Sequence, residues 1–344
     1  MRKLHLLLAV VLLLNVATVS AQSKPVDSIA FFLDDKPIEL TISTDIRNLL
    51  NKRAKREYQP ADITMRFPDS STIKEQIRIQ TRGIYRLNNC YMPSLMLNFR
   101  NPTSPQLSSL QKLKLVCGCG TSSDDEQLII KEYLTYKIYN LLTPMSFRVR
   151  MLRVTYEDSK EKKKPYTQYG FFIEDVDDMA HRNKCDEQDQ QVSGSEQTDR
   201  QQMTLVSIFQ YMVGNLDWSV PGLHNMKLIR SQENTKALPF AVPYDFDYCG
   251  LVNAPYAAPP EQITEIKSVT ERYYRGFPRT MEELEPVIAN FLAQKEKTLS
   301  LISNCQWLSN RYKKEVTNFL EDFYKQIENK TRVRNLFIEN ARTI

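Results

Sequence analysis

Residues 214–230 read GNLDWSVPGLHNMKLIR, and residues 239–250 read PFAVPYDFDYCG. They set Asn215, Asp217, His224, Asn225, Asp245 and Asp247 among the turn-forming Pro221, Gly222 and Pro243. Short acidic and amide side chains presented from loops suit a hard cation, which prefers oxygen ligands. The apolar run Leu238–Val242 reads as a strand. If it continues, Asp245 and Asp247 share one of its faces. Plainer readings exist for each piece. Asn-x-Asp commonly bonds its own backbone in a turn, and an acidic pair can hold a structural calcium. The ordered set points instead to phosphoryl transfer. There one carboxylate takes the proton of an attacking hydroxyl, while an amide and a second carboxylate hold magnesium against nucleotide phosphates. In protein kinases the catalytic-loop Asp and Asn precede the Asp of D-F-G. Asp217, Asn225 and Asp245 keep that order, although Asp217 and Asn225 stand eight apart rather than five.

Upstream, the pattern is mostly β. Strands are expected at 36–45, across a hairpin at 61–82, at Leu95–Phe99, at Leu113–Val116, and in a pair at 147–156 and 169–173 joined by a Lys-rich tip. A short basic helix is expected over Arg47–Arg56. The one long helix there is 125–142, opened by Asp124 and Asp125, whose charge suits a helix N-terminus. Residues 183–202 are polar and read as a linker or loop. Helices follow at 203–213, 281–300, 305–328 and 331–341. The expected organisation is α+β: a β-rich N-terminal lobe (22–182) carrying one long helix, the linker, and a helical C-terminal lobe (203–344), with a cleft at the junction.

The first 21 residues read as a signal peptide: Arg2 and Lys3, an apolar run Leu6–Leu14, and the small-residue site Val19-Ser20-Ala21, with Gln22 as the mature N-terminus. Export to the periplasm or the extracellular space is expected, with no transmembrane helix in the mature chain. The formal charge is +5, nearly neutral for this length, which does not imply a nucleic-acid partner. All six cysteines follow the leader, and an oxidising compartment permits disulfides. Cys90 is expected to bond Cys117 or Cys119, and Cys249 reads as a disulfide partner rather than a nucleophile. The lack of a paired C-x-x-C, with only His181 and His224 beyond the leader, argues against a zinc site. The only G-x-G, Gly118-Cys119-Gly120, lacks the third glycine of a dinucleotide loop.

Asn215-x-Asp217 with His224-Asn225, followed by Pro243-Tyr244-Asp245-Phe246-Asp247, resembles the spore-coat CotH-type kinase-like family, in an exported bacterial branch, and is similar in arrangement to HipA-type kinases. Arg82-Gly83-Ile84-Tyr85-Arg86 and Tyr169-Gly170-Phe171-Phe172-Ile173-Glu174 resemble further segments of that family. The resemblance spans about residues 80–270. It implies a two-lobed protein-kinase-like fold using ATP and Mg2+. Asp217 would then be the catalytic base and Asn225 and Asp245 the magnesium ligands, with Asp247 able to share that role. The strand 94–98 has no lysine, so Lys112 and Lys114 on the next strand stand in for the phosphate-binding lysine, with Glu132 as its partner. Arg82 is a further candidate for the phosphates. No glycine-rich cover loop is present. Three functions follow as expectations: an exported kinase acting on a protein or small-molecule hydroxyl, a non-catalytic envelope binding module of the same fold, and a metal-dependent hydrolase built on Asp217, His224, Asp245 and Asp247.

Overall fold

Alternation of buried and open residues drives the first half of the chain into strands. In β1 (Ile38–Thr44) Ile38, Leu40 and Ile42 point one way and Glu39, Thr41 and Ser43 the other. The computed structural model describes residues 31–341 apart from Asn101 and Ser109. The expected signal peptide, 1–21, and Gln22 lie outside the described residues. With β1, the strands β2 (Gln59–Arg66), β3 (Thr72–Thr81), β4 (Leu95–Asn98), β5 (Lys112–Cys117), β6 (Val149–Asp158) and β7 (Tyr166–Ile173) close into a barrel in the order β1-β2-β3-β4-β5-β7-β6. Its seam is the parallel pair β1 and β6, in which Leu40 faces Val154. Leu40, Ile63, Ile79, Leu97, Leu115 and Phe172 fill the inside. A β-rich lobe was expected; its closure was not, because pairing between residues 114 apart in sequence leaves no local pattern.

Short helices interrupt this barrel. The basic helix splits into α1 (Ile46–Asn51) and a 3-10 turn, Arg53–Lys55. After β3 comes α2 (Tyr85–Asn89). The long helix α3 (Ser123–Leu142) starts with a capping box between Ser122 and Asp125. It lies on the outer face of the barrel, where Tyr133 and Tyr136 meet Phe171 with ring centroids 6.1 and 5.6 Å apart.

The second half is mainly helical: α4 (Val176–Arg182), α5 (Arg200–Val213), α6 (Met281–Ala293), α7 (Lys295–Ser303), α8 (Asn310–Ile327) and α9 (Lys330–Arg334). Among them a three-stranded sheet runs β10-β9-β8, with β8 (Cys185–Glu187), β9 (Met226–Ser231) and β10 (Phe240–Pro243). The segment 183–202, read as loop, thus holds β8, too short to display a period. One apolar core spans α3, the outer face of β6 and β7, and the helices, through Met151, Phe209, Phe246, Leu320 and Phe323. Among the described residues no helix is long and apolar enough to cross a membrane.

Cys90 and Cys119 form a disulfide. Cys117, Cys185, Cys249 and Cys305 are buried free thiols. Cys249 is therefore not the disulfide partner it was expected to be; it is packed in the apolar core beneath the site loops.

Helix α5 ends on Gly214 in the left-handed conformation (φ 66°), and a Cβ there would lie 3.0 Å from the Val269 carbonyl oxygen. Gly214→Ala is expected to cost about 1–2 kcal/mol, read from the midpoint of urea unfolding.

Candidate active site

A cavity of about 500 Å3 opens between the barrel and the helical half. Arg82, Arg86 and Lys114 line it from the barrel side, Tyr136 from α3, and Asp217, His224, Asn225, Asp245 and Asp247 from the helical side.

The loop after Gly214 builds Asp217 into the cavity. The Asn215 side-chain oxygen accepts the Asp217 N–H at 3.0 Å, and its amide donates to Gln210 Oε1 at 3.0 Å. Asn215 is thus a turn-former, and Asp217 is the residue presented. Arg275, from the segment 273–277 before α6, clamps the same loop, donating to the carbonyls of Leu216 at 2.5 Å and Trp218 at 2.9 Å. Asp217 Oδ1 meets His224 Nε2 at 2.7 Å, and Asp217 Oδ2 accepts from Asn225 Nδ2 at 2.9 Å. The extra residues between Asp217 and Asn225 fold out. Ser219 and His224 exchange backbone hydrogen bonds of 2.9 Å each way, leaving Pro221-Gly222 at the tip and Asn225 beside Asp217.

The Asp245 segment departs from the expected strand. β10 stops at Pro243, and Asp245 turns into the left-handed region at φ 63°. Leu223 (φ 47°) and Asn225 (φ 52°) do the same on the facing loop. Non-glycine residues held there carry strain, which collects at functional sites. The turn is fixed by the Asp245 N–H donating to Tyr136 Oη at 2.8 Å. Phe246 anchors it from below, its ring 4.7 Å from that of Tyr136 and 5.5 Å from that of Phe209. Among the described residues nothing donates a hydrogen bond to the Asp245 carboxylate. Burial and the neighbouring Asp247 push Asp245 up to about 6, against the pull of Arg86 and Arg82.

Glu132 has a different partner from the one expected. Arg86, 8% exposed, donates from Nη2 to Glu132 Oε2 at 2.7 Å and to Asp247 Oδ2 at 3.2 Å, and from Nη1 to the Cys117 carbonyl at 2.7 Å. Arg86 Nε also donates to Asp247 Oδ2 at 3.3 Å, and Tyr256 Oη adds a third donor to it at 3.1 Å. Asp247 is thereby committed to holding the two halves together. Arg86 lay within the quoted Arg-Gly segment, but its pairing had no signal in local spacing. Lys112 and Lys114 do share the outer face of β5, opposite Leu113 and Leu115 inside the barrel. Only Lys114 reaches the cavity, its Nζ 5.8 Å from the Tyr244 ring centroid. Among the described residues Lys114 makes no ion pair, and burial and nearby Arg82 lower its pKa. Lys112 is exposed and lies outside the cavity lining.

Two buried carboxyl groups, Glu132 and Asp247, and the half-buried Asp245 thus gather round one guanidinium. The excess negative charge suits a cation. Asp245 has its carboxylate open to the cavity. Asn225 spends its amide hydrogens on Asp217, leaving its side-chain oxygen without a donor among the described residues. One or two protein oxygens completed by phosphate and water is what magnesium takes at nucleotide sites. Among the described residues no group of three or more His, Cys, Asp or Glu side chains is arranged to hold a metal.

No protein-family model matches this chain, and neither a curated protein nor a solved structure is significantly similar to it.

Arg86→Met leaves Glu132 and Asp247 buried without their cation and is expected to cost about 3–5 kcal/mol. Adding Glu132→Gln recovers part of that loss in a double-mutant cycle of urea midpoints. Burial and the two aspartates raise the Glu132 carboxyl from 4.5 to about 8, outweighing Arg86. The folded protein then binds this proton more tightly than the unfolded chain. Its contribution is complete below pH 4.5 and is lost as the pH rises to about 8. Glu132→Gln should remove that part of the decline when unfolding is followed across the same range.

Proposed function

We propose that this chain is an exported, kinase-like phosphotransferase of the CotH type, moving the γ-phosphoryl group of ATP to a hydroxyl of a protein or small molecule. The observation that carries the reading is one convergence: Asp217, Asn225 and Asp245 face a single cleft whose opposite wall presents Lys114 and Arg82. A β-rich half, a long helix bearing a paired glutamate, and a helical half bearing the acidic loops have the order of a kinase-like fold. The Cys90–Cys119 disulfide supports an oxidising destination.

On this reading Asp245 and the Asn225 side-chain oxygen would hold magnesium. When bound, magnesium neutralises charge on the β- and γ-phosphates. Lys114 and Arg82, the cations open to the cavity, take the remaining phosphate charge. Asp217 is held by Asn225 and His224, so its carboxylate is aimed before substrate arrives. It accepts the proton of the acceptor hydroxyl as that oxygen bonds to the γ-phosphorus and ADP leaves. His224 acts through Asp217 as a positioning residue. The apolar wall, with Val116, Phe147, Ile173 and Leu223, suits a nucleobase.

A second reading is favoured by one observation. Glu132 pairs with Arg86 rather than a lysine, so the same cleft can serve a non-catalytic module that binds nucleotide without turnover.

In a thermal-shift titration of residues 22–344, ATP with magnesium should raise the melting temperature, since a ligand of the folded state alone stabilises it. Asp245→Ala should abolish the magnesium-dependent rise, and no rise at millimolar ATP would sink both readings. Asp217→Asn should keep the rise but release ADP at least about 100-fold more slowly. Equal ADP release by Asp217→Asn and wild type would remove the catalytic role and leave the binding module.

A further inference from the structure

Residues 82–94 form an arm between β3 and β4 that covers the cleft from the barrel side. Arg82, Gly83, Ile84, Tyr85 and Arg86 all line the cavity. The root of the arm is closed by the Arg82 N–H donating to the Ser94 carbonyl at 2.8 Å. At its apex Gly83 sits at φ 95° and Ile84 is 81% exposed. Apart from the Arg86 bonds described above and the Tyr85 ring, 4.7 Å from that of Tyr256, little in the arm holds it down. Its helix α2 has five residues, far too few to be stable alone. Leu87 and Met92 are its buried apolar anchors besides Cys90. Arg56 reaches the Gly83 carbonyl at 2.8 Å from an exposed position, and Arg53 reaches the Cys90 carbonyl at 3.4 Å. On the far side the arm is tied to the segment after β5. There the Tyr91 N–H donates to the Cys119 carbonyl at 2.8 Å, and the disulfide joins Cys90 to Cys119 across 29 residues of sequence. Arg86 lies between the apex and that tie.

We infer that the Cys90–Cys119 disulfide is a redox lock on this arm, holding it closed over the cleft when oxidised and releasing it when reduced. The identity of the ligand rests on the nucleotide reading above; the lock itself does not. To open it, a dithiol reductant attacks one sulfur as thiolate and expels the other as thiolate, which takes up a proton. The second thiolate of the reductant then resolves the mixed disulfide. Two electrons and two protons pass to the protein, which ends with two thiols, and the reductant ends as a disulfide. Closing is the reverse, with a disulfide-bearing oxidant as acceptor. Cys117, two residues from Cys119, does not compete. Its sulfur is inside the barrel, accepts from Tyr156 Oη at 2.8 Å and is pushed up to about 11 by burial, so it is not a thiolate at neutral pH.

With the disulfide reduced, the Arg86 bonds to Glu132 and Asp247 and the Tyr85 contacts are the arm's main hold over the cleft, so the open form, which lacks a wall of the cleft, is more populated. The apparent dissociation constant then rises by the inverse of the fraction of molecules still closed. A chain in a reducing compartment is kept idle by this device until it is oxidised.

The experiment compares oxidised wild type with Cys90→Ser/Cys119→Ser by hydrogen exchange and by titration with Mg·ATP. Wild type reduced with dithiothreitol serves as a second route to the open state. Peptides covering 84–92 should exchange at least about tenfold faster in the open forms, with β1–β3 unchanged, and the dissociation constant should rise about tenfold. Equal exchange in the arm overturns the lock whether or not nucleotide binds. So does a uniform acceleration of arm and barrel, since the disulfide would then hold the whole fold. A freed arm with an unchanged dissociation constant overturns the gating. Absence of Mg·ATP binding by oxidised wild type defeats the nucleotide reading, while the exchange comparison still decides the lock.

Discussion

One buried guanidinium connects the parts of this protein that share no chain continuity. Arg86 comes from the arm after β3, Glu132 from α3, Asp247 from the loop after β10, and the Cys117 carbonyl from the end of β5. A cation taken from water at such cost is tolerable only when its partners are close and mutually fixed. The four elements therefore reinforce one another around it. The arrangement couples the barrel, the long helix and the acidic loops into one unit.

The rest of the site follows from that coupling. Asp247 is fixed by Arg86 and Tyr256, and Phe246 is pinned between Tyr136 and Phe209, so Asp245 has little freedom and is driven to a positive φ. The opposing loop is held separately by Arg275 and by the bonds between Ser219 and His224. The two loops are braced from different sides and joined at their base by the Tyr244 N–H donating to the Asn225 carbonyl at 3.0 Å, and the carboxylate left without a donor is the one at their meeting point. Preorganisation of this sort lowers the cost of binding because the ordering has already been met during folding.

Much of this was legible in the sequence, and the parts that were not share a cause. Strands with clean alternation, such as Ile38–Thr44 and Thr72–Thr81, announced themselves, as did α3 with its acidic first turn. The cavity brought together Arg82, Lys114, Asp217, Asn225, Asp245 and Asp247. What escaped depends on residues distant in sequence: closure of the barrel through β1 and β6, the strand β8 hidden in a polar stretch, and the choice of Arg86 over a lysine as partner to Glu132. Spacing can show that Lys112 and Lys114 share a face, but not which of them reaches the cavity. The expected bond of Cys249 failed for a related reason, because pairing depends on where a sulfur ends up and not on how near it lies to other motifs.

Barrel closure has a consequence for how this protein can meet others. Each of β1 to β7 has a neighbour on both sides, but β4 pairs only Arg78–Thr81 of β3 and β5 only Gly170–Ile173 of β7, so the barrel's open backbone is confined to short stretches, Thr72–Ile77 and Tyr166–Tyr169. Self-association by edge-to-edge addition, the usual hazard of β-rich lobes, has little template there. The open edges of the smaller sheet are β8, three residues long, and β10, which ends in Pro243. A proline cannot donate to a ladder, and three residues provide little template. A polypeptide partner is therefore met mainly by side chains, with little strand edge to capture it as it approaches the cleft.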